Sequence, residues 1–420
     1  MVPGGAHTYA KGDDQYPEGM APVIDRGLGC RVWDLDGNCY VEYGSGLRGT
    51  TLGHGFAPVV EAVRERLDGG VNFVRPHWLE QEAAGRIVDL IPSAEMVKFG
   101  LNGSDATTAA VRLARAYTGR DMVAVCRQHP FLSTDDWFIG TTAMPAGIPQ
   151  AHRELVVSFS YNDPASVAEL FDAYPGRIAA LVLEAETVEP PEPGFFEALR
   201  ELCDSSGALL ILDEMITGFR WHERGAQFTY GISPDLSTFG KALANGFPLS
   251  ALVGRSDVMR LGGFVEDADR VFLLSQTASG QPWALAAMLA VVEVYERERI
   301  AERLHALGAE LRHRVEDAVS AAGLGEYFQL RGRDCNLTYV ARDQDGVPSQ
   351  EFRTLVLQEL LERGVLAPSF VVSAAVDAEA IDQTVQAVAE AMDAYRRALS
   401  DGVSSVLRGR PVRPAIRPRG

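Results

Sequence analysis

Leu209-Leu210-Ile211-Leu212 is a run of four apolar residues that ends in two carboxylates, Asp213 and Glu214. The run predicts a buried parallel strand, and ligands bind at the C-terminal edge of open α/β sheets. A carboxylate there needs a cationic partner. One candidate is a pyridine nitrogen, which an ionised Asp213 would keep protonated so that the ring accepts electrons. Downstream, Ser237-Thr238-Phe239-Gly240-Lys241-Ala242 carries Lys241 in a loop from which an amine can reach back to an aldehyde. Taken singly, these motifs read equally as an N-terminal helix charge and a solvated lysine. A third segment decides between the readings. Val97-Lys98-Phe99-Gly100-Leu101-Asn102-Gly103-Ser104-Asp105-Ala106 runs from a strand through a glycine turn into an amphipathic helix. The amides at that helix start, with the Ser104 hydroxyl, make a cradle for a phosphate. The segment has neither a Gly-Lys-Ser ending nor a GxGxxG, so nucleotide motifs are not met. A strand-end Asp, a loop Lys and a phosphate cradle together describe pyridoxal phosphate (PLP).

The elements that must position these residues follow from periodicity. From about residue 57 to 295, helical patterns alternate with short apolar runs at Met96–Phe99, Met122–Cys126, Leu181–Leu183 and Leu209–Leu212. The alternation predicts an α/β domain, a mostly parallel sheet with helices on both faces. Glu293–Ala322 and Ala378–Leu399 read as long amphipathic helices around a strand-like Cys335–Val340, a smaller α+β domain. Asp36-Gly37-Asn38 reads as a hairpin turn. The expected division is an N-terminal segment 1–56 joining the small domain and the substrate mouth, a large PLP-binding domain 57–295, a small domain 296–407, and a disordered Pro- and Arg-rich tail 408–420.

Composition bounds the function. The 420 residues hold 39 basic and 57 acidic side chains, a net charge of −18, so the surface repels phosphate backbones and nucleic acid is excluded as a partner. No apolar stretch approaches the ~18 residues of a membrane span. Cys30, Cys39, Cys126, Cys203 and Cys335 are scattered and form no CxxC, which suits neither a disulfide framework nor a metal site. With no signal peptide at Met1-Val2-Pro3-Gly4-Gly5, the expected compartment is the cytoplasm.

On these residues the chain resembles the class III PLP-dependent aminotransferases, most closely their glutamate-1-semialdehyde aminomutase-like branch. The resemblance runs to about residue 395. It passes through Trp33-Asp34-Leu35-Asp36-Gly37-Asn38, Arg112-Leu113-Ala114-Arg115-Ala116-Tyr117-Thr118-Gly119-Arg120, Leu212-Asp213-Glu214-Met215-Ile216-Thr217-Gly218-Phe219-Arg220, Phe239-Gly240-Lys241 and Leu366-Ala367-Pro368-Ser369. It implies a fold-type I transferase in which Lys241 holds the cofactor covalently, Asp213 partners the pyridine nitrogen, and Gly103 with Ser104 cups the phosphate. It also implies that Thr277 reaches the phosphate of a neighbouring subunit, hence a homodimer. By the same resemblance Glu184 stands near the cofactor's hydroxyl and Met215 packs on one ring face; a solvated strand end and a core methionine are their plain alternatives. Relatives carry an aromatic-His-Gly stretch on the other face, where this chain reads Cys126-Arg127-Gln128-His129-Pro130-Phe131. Phe131 and His129 are the two candidates there, a core Phe being the alternative.

Arg48, in Gly46-Leu47-Arg48-Gly49-Thr50, lies just before Gly53-His54, a region that lines the substrate mouth in relatives. A guanidinium there holds a carboxylate bidentately; otherwise it is a surface charge. With Asp135, Asp136 and Trp137 it points to a small polar oxo substrate, of the kind found in secondary metabolism. The expected activity is ping-pong transfer between an amino donor and that oxo acceptor. An aminomutase-type isomerase is the alternative, and a non-enzymatic PLP-binding regulator the third reading. The segment after Ala367-Pro368-Ser369 is short, which favours transfer over migration.

Overall fold

The apolar runs become the strands of an open sheet in the computed structural model, which describes residues 1–264 and 269–417. Three strands come first, β1 (Ile24–Leu28), β2 (Arg31–Asp34) and β3 (Cys39–Glu42). Seven follow: β4 (Met96–Gly100), β5 (Met122–Cys126), β6 (Val156–Phe159), β7 (Ile178–Glu184), β8 (Leu209–Asp213), β9 (Leu236–Phe239) and β10 (Ser250–Gly254). The last three are β11 (Phe328–Arg331), β12 (Thr338–Ala341) and β13 (Val365–Leu366). The chain divides into two units, one built from Ala57–Ala301 and the other from Met1–Phe56 with Glu302–Gly420.

The unit Ala57–Ala301 carries the seven-stranded sheet, in the order β4-β10-β9-β8-β7-β5-β6. Pairs β5/β6, β5/β7, β7/β8 and β8/β9 are parallel, whereas β10 runs antiparallel to both β4 and β9. Because β10 alone is reversed, the C-terminal ends of β4, β5, β7, β8 and β9 all open on the same edge of the sheet. Every residue of β5, β7, β8, β9 and β10 is buried, as a sheet covered on both faces requires. The helix Gly103–Thr118 lays Leu113 and four alanines, Ala106, Ala109, Ala110 and Ala114, into that core, and the alanines admit close approach to the strands.

In the other unit, β1-β2-β3-β13 form one sheet and β11-β12 a second. The β2–β3 hairpin turns where Asp36-Gly37-Asn38 predicts: Gly37 has φ +86° and Asp34 Oδ1 accepts from the Asp36 and Asn38 amides. Three expectations need correction. The helix read as continuous from Glu293 to Ala322 is two, Pro282–Glu298 and Ile300–Ala321, because Arg299 at φ +51° takes a left-handed cap between them. The boundary expected at 295/296 accordingly falls after Ala301. Residues 408–417 are not loose: Val412 is buried beside Val32, Leu357, Leu361 and Leu366, its amide donates to Thr354, and Arg417 pairs with Asp14. The end of the expected tail, 418–420, lies outside the described residues.

Candidate active site

Register fixes the site along one sheet edge. Asp213, last residue of β8, pairs with Glu184 at the end of β7 on one side and with Thr238 of β9 on the other. Lys241 therefore follows three residues after the strand partner of Asp213. Asp213 is buried, and its Oδ1 accepts from the Met215 amide at 2.9 Å and the Thr238 hydroxyl at 3.1 Å. Among the described residues no hydrogen bond falls on Oδ2. Burial pushes the carboxyl up to about 6, with the Lys241 charge as the main opposing pull.

The second carboxylate of the pair is already spoken for. Glu214 is fully buried and accepts from the Ala226 and Gln227 amides, both at 2.8 Å, and from the Thr217 hydroxyl. It closes a turn, whereas the hydrogen bonds of Asp213 leave its Oδ2 open among the described residues. Thr238, which orients it, was not singled out from sequence, although its place three residues before Lys241 on the neighbouring strand is a signal that could have found it.

Lys241 opens the 3-10 turn Lys241–Ala244 with φ +48°, and the turn ends at Asn245 with φ +47°. Left-handed non-glycine residues cost of order 1–2 kcal/mol each, so the packing of buried Ala242, Leu243 and Ala244 must hold them. The Lys241 residue is partly exposed, whereas Lys11 and Lys98, the remaining lysines, are exposed.

The phosphate cradle is a capped helix start. Asn102 Oδ1 accepts from the Asp105 amide at 3.1 Å, and Asp105 Oδ2 accepts from the Leu101 and Asn102 amides at 2.9 and 3.2 Å. The Gly103 and Ser104 amides make no such bond among the described residues, which leaves them for an anion. Ser104 Oγ accepts the Thr134 amide at 2.9 Å and keeps its proton to donate. Met215 lies between the cradle and the lysine loop. A Cβ on Gly103 would stand 3.0 Å from its sulfur, and one on Gly240 2.6 Å, so two glycines preserve the space around this side chain.

Glu184, Glu186 and Arg220 are buried at the same end of the sheet. Glu186 Oε2 accepts from Trp221 Nε1 at 2.6 Å and from the Tyr230 hydroxyl. His129 is buried after β5, and its Nδ1 accepts the Glu184 amide at 2.9 Å. Phe131 is instead 48% exposed, edge-on to Phe138. Thr277 lies at an exposed rim of the same unit, its carbonyl accepting from Asn72 Nδ2 at 2.9 Å in a cleft lined by Phe73, Val74, His77 and Gln281.

Arg48 belongs to the other unit. It ends a run of five left-handed residues, Gly44 (φ +109°), Ser45 (+45°), Gly46 (+58°), Leu47 (+59°) and Arg48 (+72°). The turn is tied down by Ser45 Oγ donating to the Val371 carbonyl and by Arg48 Nε donating to Asn336 Oδ1 at 2.8 Å. Three of the five carry a Cβ, and strain of that kind collects at functional sites.

The donor set in the unit Ala57–Ala301 fits PLP. It has a buried carboxylate with an open oxygen for a ring nitrogen, a lysine held near it, and two open amides with a hydroxyl for a phosphate. The comparisons with known proteins agree. The class III aminotransferase family model matches residues 13–392. A glutamate-1-semialdehyde 2,1-aminomutase of Syntrophobacter fumaroxidans is 32% identical, over 93% of this chain and 94% of its own. The PLP internal aldimine form of the FumI protein of Sphingopyxis sp. MTA144 superposes with a TM-score of 0.87 at 28% identity, covering 95% of both chains. An omega-transaminase from Sphaerobacter thermophilus does so with 0.82 at 26%, covering 94% of both. The fold is that of the fold-type I transferases, and the chain belongs to the class III aminotransferase family.

Proposed function

We propose that the chain is a PLP-dependent aminotransferase that moves an amino group from a donor amine to a small polar oxo acceptor in two half-reactions. The observation that supports this reading best is the β7-β8-β9 register, which sets buried Asp213 beside Thr238 and brings Lys241 back to it. Bound PLP supplies an aldehyde to carry the amino group and a ring to accept the electron pair left when a carbon loses its proton.

The residues do the rest. Lys241 would hold the aldehyde through Nζ and, when free, its amine would take and return a proton at the substrate carbon. Asp213 would hold the ring nitrogen protonated through Oδ2, while Thr238 and the Met215 amide fix Oδ1. Gly103 and Ser104 would hold the phosphate, Met215 would pack against one ring face, and Glu184 would stand near the ring hydroxyl.

The aminomutase named among the relatives favours a second reading, migration of the amino group within one substrate. Against it, the segment after Ser369 is short and fixed: Phe370, Val371 and Val372 are fully buried, and Phe370 donates its amide to the Leu337 carbonyl. A retained intermediate needs a lid that seals it from water, and these residues are core. The test is to supply a donor amine without acceptor. A transaminase yields one equivalent of oxo product, stops, and resumes when acceptor is added; catalytic isomerisation without acceptor would establish the mutase.

The assembly we propose is a homodimer in the cytoplasm. Phe73 at 48% exposure and Val74 at 100% flank the cleft that holds Thr277, an apolar surface suited to a second copy. No described helix is long and apolar enough to cross a membrane. Sedimentation showing a fully active monomer would overturn the dimer.

A further inference from the structure

His129 holds a buried hydrogen-bond donor with no acceptor among the described residues. Its Nδ1 accepts the Glu184 amide at 2.9 Å, so Nδ1 carries no proton. Burial holds the ring well below its ordinary value, at about 4, so the imidazole is neutral near pH 7 and its one proton sits on Nε2. Nε2 is buried and unpartnered. The nearest ring, Tyr161, lies 5.4 Å away centre to centre and tilted by 56°, which offers no conventional acceptor. An orphaned donor in a residue only 3% exposed is costly unless something else fills it.

What fills it follows by elimination, given the cofactor reading above, on which this inference rests. PLP has four polar ends. Asp213 takes the ring nitrogen, Lys241 consumes the aldehyde oxygen, and Gly103 with Ser104 takes the phosphate. The oxygen on ring carbon 3 is left, an acceptor when ionised. An ionised Glu184 and an ionised 3-oxygen are both acceptors and cannot bond to each other. His129, seated on the Glu184 backbone one strand from Asp213, has a proton to give.

We propose that His129 is a neutral hydrogen-bond donor to the cofactor's 3-oxygen through Nε2–H, and not the platform on which the ring stacks. The donated bond stabilises the ionised oxygen and lowers the proton affinity of the oxygen–imine pair.

The test uses two substitutions of graded mimicry and an altered cofactor. His129→Asn keeps an acceptor for the Glu184 amide but removes the distal donor; His129→Gln restores a donor at the distal position. Apo-protein of each is titrated with PLP and with 3-deoxypyridoxal phosphate, which lacks the oxygen. We expect H129N to bind PLP about tenfold more weakly than wild type and the 3-deoxy analogue equally well. The pH at which the bound cofactor's visible band titrates should rise by about one unit in H129N and return towards wild type in H129Q. Equal weakening towards both ligands, or an unmoved titration with a lowered apo melting temperature, would make His129 a structural acceptor for Glu184 and overturn the proposal. Failure of wild type to hold PLP on Lys241 would instead break the underlying reading.

Discussion

Two segments, one in each unit, each hold more than one non-glycine residue in the left-handed region, and they do so differently. In Lys241–Ala244 the strain sits at the two ends of a short turn, Lys241 and Asn245, with the interior buried. In Gly44–Arg48 it runs through five successive residues, from buried Ser45 to Leu47 at 37% exposure. The first segment is strained so that one side chain leaves a packed sheet edge at a fixed angle. The second is strained throughout and is held by its own Ser45 and Arg48 side chains, which donate to acceptors at distant positions, the Val371 carbonyl and Asn336 Oδ1. A chain can thus position a functional group by packing around it or by tethering it.

The comparison breaks first at Lys241. Lys241→Ala should abolish amino transfer, by about four orders of magnitude or more in single-turnover rate, with the fold intact by circular dichroism. Asp213→Asn comes next. We expect it to retain PLP but lose about a hundredfold or more in turnover, because an amide cannot hold the ring nitrogen protonated. The same variant has a signature without cofactor. The folded-state value of Asp213, about 6, lies above its ordinary 3.8, so its contribution to stability is present below pH 4 and lost as the pH rises through 6. Glu214, also raised by burial, adds a decline of the same sign, so denaturant melts of apo-protein should fall more steeply with pH in wild type than in D213N, by up to about 3 kcal/mol.

The tethered segment gives smaller effects. Arg48→Gln should raise KM for a carboxylate-bearing substrate about tenfold and change kcat little; an unchanged KM would return Arg48 to a surface charge. Leu47→Gly removes one left-handed Cβ and should stabilise the protein by up to about 1 kcal/mol, read from the denaturation midpoint at constant slope. A loss of stability would mean that Leu47 packs to more effect than its exposure suggests.

How far the sequence shows these features depends on how local their causes are. Asp213 and Lys241 are legible because an apolar run ending in a charge, and a glycine before a loop lysine, are local patterns. That Glu214 is not the open carboxylate is hidden, since the Ala226 and Gln227 amides that occupy it are brought there by the fold. The left-handed turn is hidden as well: Ser45-Gly46-Leu47-Arg48 reads as an ordinary loop, and what holds it lies about 290 residues on at Asn336. The break at Arg299 escapes because apolar spacing continues across it through Tyr295, Ile300 and Leu304, all buried. The order of residues 408–417 escapes because Arg410 and Arg417 pair with Asp13 and Asp14 at the opposite end of the chain.

The central claim is that Lys241 carries PLP, and the chain makes it simple to test, since Lys11, Lys98 and Lys241 are its only lysines. Borohydride reduction of the PLP-loaded protein, followed by peptide mapping, has three lysines to choose among. The account predicts one equivalent of label on the peptide containing Phe239-Gly240-Lys241. Label on the Lys98 or Lys11 peptide, or none with PLP bound, would contradict it.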